Sequence, residues 1–331
     1  MNFNTGITAE VVQASRYNNK VVWTLKLKYG LMIHAELLRH KLFSHSVKSN
    51  RAIEPHRIRH EVINDPYIPV RFGQNQRGMV AKGESKYARF ARKMWLAARY
   101  VACGIHYCFE KIGIHKEITN RLLFPWQWVS QTLTFTEIDN FFNLRLHQAA
   151  QPDIQRLAQV IRYCLENAVA NDEIEDIGLG DYHVPYVNRY KNGEGQVVYH
   201  DNDGRELSVE QAIVCSMARC ARSSYNNHDG SKSTYNTRVK QGMRTDLEIY
   251  QDLIESKPVH ASPGEHVCTP MTKQIVSLNS GVKIAFKQPG VTHVDRHGML
   301  WSGCLRGWVQ QRYLLEDESC WHYEETDEHI R

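Results

Sequence analysis

The sequence predicts an α+β fold that is mainly helical and carries a small antiparallel sheet. A stretch rich in β-branched and aromatic residues opens the chain and is divided by Asn18 and Asn19. Later stretches repeat apolar residues every three or four positions, which is the period of amphipathic helices. The stretches at 54–83 and 171–206 are rich in turn-forming residues and have no period, which is typical of irregular structure.

The order of elements follows from these patterns. Residues 6–29 are predicted to form a hairpin that turns at the two asparagines. Pro152 lies in the first turn of one predicted helix, and Ser208 begins a capping box in front of another. Helices are predicted at about 30–43, 85–111, 115–123, 126–144, 152–169, 208–223 and 245–256. A strand pair is predicted at 274–290, and a last helix is predicted from Arg306.

The chain is expected to consist of two parts intertwined in one domain. The first part covers residues 1–170 and the second covers 207–331. Residues 171–206, which are rich in Asp, Gly, Asn and Tyr, are expected to form a linker or a peripheral loop between them.

Bulk composition limits the classes of function. The net charge of +5 on 331 residues is too small to indicate nucleic-acid binding by itself. The eight cysteines include no CxxC pair and no zinc-module spacing, so we expect reduced thiols and no metal site. No apolar run approaches the roughly 20 residues that span a bilayer. We therefore expect a cytoplasmic protein without membrane contact. The sequence also lacks the motifs of Rossmann, P-loop and serine-hydrolase proteins, which disfavours those classes.

Three polar stretches are candidates for chemistry. The first, RHKLFSHSVKSNR, gathers Arg39, His40, Lys41, Ser49 and Arg51 at the end of a predicted helix. Guanidinium and hydroxyl donors at this spacing can converge on one phosphate. The alternative is a basic helix end that complements its own dipole.

The second stretch places Arg121 before a Pro-Trp corner and Asn140 five residues before Arg145. Both later side chains can reach one edge of a ligand, while the aromatic residues between them are more often core than a stacking site. The third stretch, HASPGEH, clusters His260, Ser262 and Glu265 about a Pro-Gly turn. It predicts either a polar turn that contacts a ring system or pyrophosphate, or a capped surface turn.

Together these stretches resemble the flavin-dependent thymidylate synthases (ThyX). RHKLFSHSVKS is similar to the family's RHR triplet followed by a serine, FFNLRLHQAAQPDI to its Asn-x4-Arg helix, and HASPGEH to its flavin-lining segment. ARCARSSYNNHDG resembles the family's Ala-Arg-x-Ser segment. The last two precede the triplet in the usual order and follow it here, so the chain resembles a circularly permuted or rearranged member of a longer, phage-like subgroup.

The resemblance implies roles for individual residues. It implies Ser49 and Arg145 as catalytic residues. The implied cofactor-binding residues are Arg39, His40, Lys41, Asn140, Ser224, His260, Ser262 and Glu265. The implied substrate-binding residues are Glu36, Ser49, Arg51, Arg121 and Arg145.

The implied activity is thymidylate synthesis from dUMP. Reduced FAD would be the hydride source, and NADPH and methylenetetrahydrofolate would be co-substrates. Members of the family form homotetramers whose subunits share active sites, so a homo-oligomer is implied, in the host cytoplasm if the chain is phage-encoded.

Two positions depart from the family's pattern. Lys41 replaces the third arginine of the triplet, and a point charge does not reproduce a planar fork. Val47 stands where many members have a glutamate. These departures leave open a hydroxymethyl transfer to a pyrimidine nucleotide, and a non-catalytic relative that binds nucleic acid.

Overall fold

The computed structural model describes residues 6–78, 80–81, 83–222, 233–239, 242–254, 256–273 and 288–320. Helices and several small sheets share this part of the chain, which confirms the mixed α+β class. The mainly helical balance stays a prediction. No helix among the described residues is both long and apolar enough to cross a lipid bilayer.

Thirteen strands are found in the described residues. They are β1 (Thr8–Tyr17), β2 (Lys20–Gly30), β3 (Ser44–Val47), β4 (Trp128–Phe135), β5 (Glu175–Asp176), β6 (Asn188–Lys191), β7 (Val197–His200), β8 (Glu206–Leu207), β9 (Cys268–Pro270), β10 (His293–Val294), β11 (Leu300–Ser302), β12 (Leu305–Arg306) and β13 (Trp308–Gln310).

Eight α-helices are found in the same residues. They are α1 (His34–Leu37), α2 (Pro55–Asn64), α3 (Ala88–Lys111), α4 (Lys116–Thr119), α5 (Asp139–Arg145), α6 (Pro152–Ala170), α7 (Val209–Ala221) and α8 (Asp246–Ile254). The predicted long helices at 85–111, 152–169, 208–223 and 245–256 are thereby confirmed. The capping box is confirmed too, because Ser208 and Gln211 bond each other's backbone N–H groups.

A five-stranded sheet in the order β3-β4-β2-β1-β5 forms the centre of the fold. Its strands are antiparallel except for β5, which runs parallel to β1. The predicted hairpin is its first element. Asn18 and Asn19 have φ of 45° and 61°, and asparagine tolerates this left-handed region better than most residues. Two such residues between paired Tyr17 and Lys20 make the turn favoured by a twisted hairpin.

The main core lies on one face of this sheet. Leu25, Leu27 and Leu133 point into it and are fully buried, and α6 packs over them with Leu157 and Ile161. The alternation of strand residues therefore places the hydroxyls of Thr24, Thr132 and Thr134 on the opposite face, where they are buried as well.

Two predicted helices are wrong. Residues 30–43 form only a 3-10 turn and the single turn α1, because the chain leaves this position to enter β3 at the sheet edge. Residues 126–144 form β4 and then α5 instead of one helix. The alternation in WVSQTLTF is the period of a strand, and pairing with β2 and β3 fixes it.

Other expectations change in smaller ways. The 54–83 stretch contains α2, which starts with Pro55 at its first turn and buries Ile58 and Val62 one turn apart. The helix expected from Arg306 is instead β13 followed by a short 3-10 turn. Most of the strand pair predicted at 274–290 lies outside the described residues.

Residues 171–206, expected to be a linker or a peripheral loop, carry β5, β6 and β7. They also supply buried side chains, including His183, Val184 and Tyr199. His183 forms a backbone bridge with Cys268 of β9, through N···O distances of 2.8 and 3.2 Å. This segment therefore joins the second part of the chain to the polar face of the central sheet.

Candidate functional site

The polar stretches meet around β3, the edge strand of the central sheet. β3 lies inside the first stretch, between His40 and Ser49. The second stretch reaches the beginning of β3 through α5, and the third reaches its side through the 3-10 turn Ser262–Glu265. Three stretches that are distant in sequence therefore share one strand.

Arg145 is held at the beginning of β3 by two side chains. Its Nε donates to Nε2 of His40 at 2.9 Å, and its Nη1 lies 3.5 Å from a carboxylate oxygen of Glu36. Burial, together with the charge of Arg145, lowers the pKa of His40 below its ordinary value. His40 is therefore a neutral acceptor, and its ring centroid lies 4.9 Å from that of Phe141 with the two rings nearly perpendicular.

The other residues predicted near this end of β3 are on the surface. Arg39 and Lys41 are exposed on either side of the buried His40. Asn140 is exposed on α5. The structure thus brings Glu36, His40 and Arg145 into contact and arranges two cations and an amide around them.

A second group of predicted residues lies at the other end of β3. The hydroxyl of Ser49 accepts a hydrogen bond from the backbone N–H of Arg51 at 3.3 Å, which caps a short 3-10 turn. The amide of Asn120 donates to the backbone oxygens of Asn50 and Ile53 at 2.8 and 2.9 Å. This contact carries the exposed Arg121 to the same region.

The third stretch is attached to β3 by Gln310. The Nε2 of this buried side chain donates to the Ser44 hydroxyl at 3.0 Å and to the Glu265 backbone oxygen at 2.7 Å. The carboxylate of Glu265 pairs with Arg312 at 2.5 Å. His260 and Ser262 are exposed, and Ser224 lies outside the described residues.

The first half of this arrangement matches a known protein family. The family model described as thymidylate synthase complementing protein matches residues 15–169. Over these residues the chain is similar to that family. The segment includes the end of β1, all of β2, β3 and β4, and the residues assigned from the first two stretches, among them Arg145.

Two solved structures of a bacterial enzyme are similar to part of the chain. One is a UMP/dUMP methylase, PolB, from Streptomyces cacaoi bound with 5-Br UMP, at 17% identity and a TM-score of 0.40, covering 52% of this chain and 91% of PolB. The same enzyme bound with 5-Br dUMP gives 18% identity and a TM-score of 0.37, covering 46% and 68%. None of the curated proteins compared with the chain matches it.

The part outside the family match contacts the matched sheet through a buried hydrogen-bond chain. His266 Nδ1 lies 2.8 Å from the Thr134 hydroxyl, Thr134 lies 2.7 Å from Thr24, and Thr24 lies 2.8 Å from His183 Nε2. The other nitrogen of His183 lies 2.6 Å from Ser15. These hydrogen bonds cross three strands, so they fix HASPGEH against the matched sheet.

His183 and His266, the two histidines of this hydrogen-bond chain, are neutral. Burial lowers the pKa of His266 to about 3 and lowers that of His183 well below its ordinary value. His45 of β3 is similar, because burial first, and then nearby positive charge, lowers its pKa to about 4. The sequence did not reveal these roles, since an isolated histidine in a strand or loop carries no periodic signal of burial.

Two further clusters are explained by their own salt bridges. A cavity of about 360 Å³ opens beside Lys48 near two tryptophans, but Lys48 is paired with Glu61 at 3.2 Å. Among the described residues, Asp201, Cys215 and Asp246 stand at metal-ligand distances from one another. The guanidinium of Arg219 lies 2.5 Å from the first aspartate and 2.9 Å from the second, so a cation is already present.

Proposed function

We propose that the protein transfers a one-carbon unit to C5 of a pyrimidine nucleotide such as dUMP. The observation that carries this proposal is Arg145, whose guanidinium is oriented by neutral His40 at the beginning of β3, within the segment that matches the family model. An oriented guanidinium stabilises an anionic or carbonyl oxygen through charge-assisted hydrogen bonds.

The residues at the two ends of β3 would bind different parts of the nucleotide. Arg145 and Glu36 would contact one part of the nucleotide, and Ser49, Arg51 and Arg121 would bind the phosphate from the other group. Arg51 and Arg121 are exposed, so their guanidinium groups are accessible to a ligand. A homo-oligomer that combines the first group of one copy with the second group of another is compatible with their separation along the strand.

FAD fits the exposed residues around this site. Arg39 and Lys41 supply two solvent-facing cations for a pyrophosphate, and Asn140, His260 and Ser262 supply exposed hydrogen-bonding groups. When bound and reduced, the flavin would supply the hydride, with NADPH and methylenetetrahydrofolate as co-substrates. Glu265 would act by fixing its turn, because its carboxylate pairs with Arg312.

A hydroxymethyl product is the second candidate. Val47 is partly buried against the main core, so an apolar side chain occupies the position where many family members have a glutamate. Loss of a carboxylate beside the nucleotide changes the proton donors and acceptors available to the one-carbon intermediate. The same nucleotide and flavin sites would serve either product.

The proposal is tested on the purified full chain. FAD is added, the protein is desalted, and the absorbance spectrum is recorded before and after adding dUMP. Methylenetetrahydrofolate and NADPH are then supplied with dUMP labelled with tritium at C5. We expect retained flavin and release of tritium to water, and the mass of the product separates methyl from hydroxymethyl transfer.

Absence of tritium release from a flavin-loaded protein that binds dUMP would reject C5 transfer to this nucleotide. A protein that retains no flavin, and that binds polynucleotide more tightly than dUMP with a steep dependence on salt, would support the nucleic-acid-binding alternative instead.

A further inference from the structure

The stretch of residues 55–116, which carries helices α2 and α3, holds the positive charge of the chain. It contains 12 Lys and Arg residues against 4 Asp and Glu residues, whereas the other 269 residues have a net charge of −3. The mild charge of the whole chain therefore conceals one concentrated cationic region. Positive charge gathered on one part of a protein is what binding of a polyanion requires.

Helix α3 packs on the chain through one side and presents cations and tyrosines on another. The packed side is apolar and includes Trp95, Ala102 and Cys103. The exposed side carries five residues at spacings of 4, 7, 7 and 4, which fall along one line of a helix. We call these residues the cation–tyrosine row. They are Arg89, Lys93, Tyr100, Tyr107 and Lys111.

The cations of this row are unpaired. In the part of the chain that the structure describes, Arg89, Lys93 and Lys111 form no ion pair with a carboxylate. Other exposed cations are paired, as Arg16 is with Asp176 at 2.6 Å. Unpaired cations along one line can neutralise successive phosphates of a nucleic-acid backbone and release its counterions.

Each tyrosine of the row has a cation beside its ring. The ring centre of Tyr100 lies 4.4 Å from the guanidinium carbon of Arg99. The ring centre of Tyr107 lies 5.0 Å from the guanidinium carbon of Arg59 and 5.3 Å from Nζ of Lys111. Tyr100 is 56% exposed and Tyr107 47%. Exposed rings among cations suit a single strand, because bases stack on the rings and phosphates contact the cations.

Helix α2 widens this surface. A cavity of about 650 Å³ lies on α2 and is lined by Arg57, Arg59 and two histidines. Arg59 also contacts the ring of Tyr107, so the cavity adjoins the cation–tyrosine row. Arg59 is paired with Glu110, and the Glu61 that lines the cavity is paired with a lysine. Arg57 has no such pair among the described residues and adds one more available cation.

We propose that the cation–tyrosine row, with the adjoining surface of α2, binds a single-stranded polynucleotide. The row is about 33 Å long, which is enough for several successive nucleotides. A duplex conceals the faces of its bases and an anionic lipid surface has none, so neither would use the tyrosines for stacking. None of the row's residues is assigned to the dUMP or flavin sites. The inference therefore does not depend on the proposed function, and variants of the row should keep the wild type's flavin retention and dUMP affinity.

The first test measures binding of a fluorescein-labelled oligothymidylate, about 15 nucleotides long, to the full chain by fluorescence anisotropy. Lys93→Gln combined with Lys111→Gln removes two phosphate contacts. We expect a loss of affinity of about 10-fold or more at about 50 mM salt. Between about 50 and 200 mM salt, the slope of log affinity against log salt should lessen by about 0.7 for each contact.

The matched control for the lysines is Lys191→Gln combined with Lys273→Gln. It removes the same charge from two exposed lysines elsewhere in the chain, so it should bind the oligothymidylate as the wild type does. Oligouridylate of the same length is measured in parallel, and the tighter of the two ligands shows whether the row prefers DNA or RNA.

The second test examines base stacking. Tyr100→Leu keeps an apolar side chain but removes the ring, so affinity for oligothymidylate should fall about 5- to 100-fold. Affinity for inorganic polyphosphate of similar length, which has no bases, should stay unchanged. Tyr163→Leu on α6, at a tyrosine that is 46% exposed, is the control and should keep both affinities.

The proposal would be overturned by a wild type that does not bind the oligonucleotide at about 50 mM salt, or by a lysine double variant that binds as its control does. A Tyr100→Leu variant of unchanged affinity would reject base stacking on the row. Binding that Arg145→Ala abolishes and the row variants leave intact would place the strand in the dUMP site instead. Tighter binding to anionic lipid vesicles than to the oligonucleotide, lost in the lysine double variant, would make the row a membrane contact and overturn the proposal as well.

Discussion

His40 orients Arg145 without competing for its charge. Because burial and Arg145 itself keep the imidazole neutral, its Nε2 accepts a hydrogen bond and adds no positive charge to the site. Glu36 approaches the same guanidinium from the other side. Glu36 already offsets part of the charge of the guanidinium, so a neutral partner rather than a second carboxylate keeps the remaining positive charge available to an anionic ligand.

The first prediction concerns Arg145. Arg145→Ala should weaken dUMP binding by about 10- to 100-fold, since a hydrogen bond to a charged group contributes roughly 1.5–3 kcal/mol. Titration calorimetry on the full chain measures the affinity, and circular dichroism checks the fold. Arg162→Ala on α6 removes an arginine from an exposed pair with Glu166 and is the control. Equal affinity in the two folded variants would remove Arg145 from the nucleotide site.

The second prediction concerns the buried guanidinium of Arg219. Its side chain is fully buried between Asp201 and Asp246. Arg219→Ala would leave two buried carboxylates facing each other, so we expect a loss of about 3–5 kcal/mol in the free energy of unfolding. Urea denaturation measures it.

Arg16→Ala is the matched comparison, because the pair of Arg16 with Asp176 is largely exposed. Its loss should lower the free energy of unfolding much less than the loss of Arg219, because water screens an exposed ion pair. Similar costs for the two variants would mean that the cluster at Arg219 is not sealed from water.

At the scale of elements, the predictions that rested on local turn or cap residues succeeded more often than those that rested on apolar periodicity alone. The hairpin at Asn18 and Asn19 and the capped helix at Ser208 are set by local chemistry, and both are confirmed. The helix predicted over residues 126–144 was wrong, because one helical pattern was assigned across a strand, β4, and a helix, α5. For α3 the predicted position was right, because an apolar period of three and four sustained over many residues is typical of a long helix.

The third prediction concerns the hydroxyl contacts between strands and the second part of the chain. Thr134 connects Thr24 to His266 by hydrogen bonds of 2.7 and 2.8 Å. Thr134→Val keeps the volume but leaves buried polar groups without a partner, so the free energy of unfolding should fall by about 1–3 kcal/mol. The measurement is urea denaturation of the full chain.

Thr8→Val is the control for this prediction. It makes the same change at an exposed position of β1 in the same sheet, and stability there should change by less than about 0.5 kcal/mol. A Thr134→Val protein as stable as the control would show that the hydroxyl chain does not hold the two parts together.

At the scale of the whole molecule, segments that are far apart in the sequence lie close together in the fold. HASPGEH follows the basic triplet by more than 200 residues, yet Gln310 and His266 connect it to β3 and β4. The resemblance predicted which stretches belong together. The sequence did not predict what joins them, because Gln310, Thr134 and His183 lie in separate segments and each is unremarkable alone.

The last prediction is a pH dependence of the whole fold that arises from this junction. Burial lowers the pKa of His266 to about 3 in the folded chain, whereas an unfolded histidine titrates near pH 6.5. Below that value the unfolded chain binds a proton that the folded chain excludes. The free energy of unfolding should therefore fall as the pH drops toward 3, by up to about 1.4 kcal/mol per pH unit for each such histidine. His183 contributes in the same direction.

His266→Gln removes one of these protons, so its stability should decline less steeply than that of the wild type in urea denaturation between about pH 6 and pH 4.5. Parallel declines in the two proteins would mean that His266 is also protonated in the folded state, which would contradict its burial as a neutral imidazole.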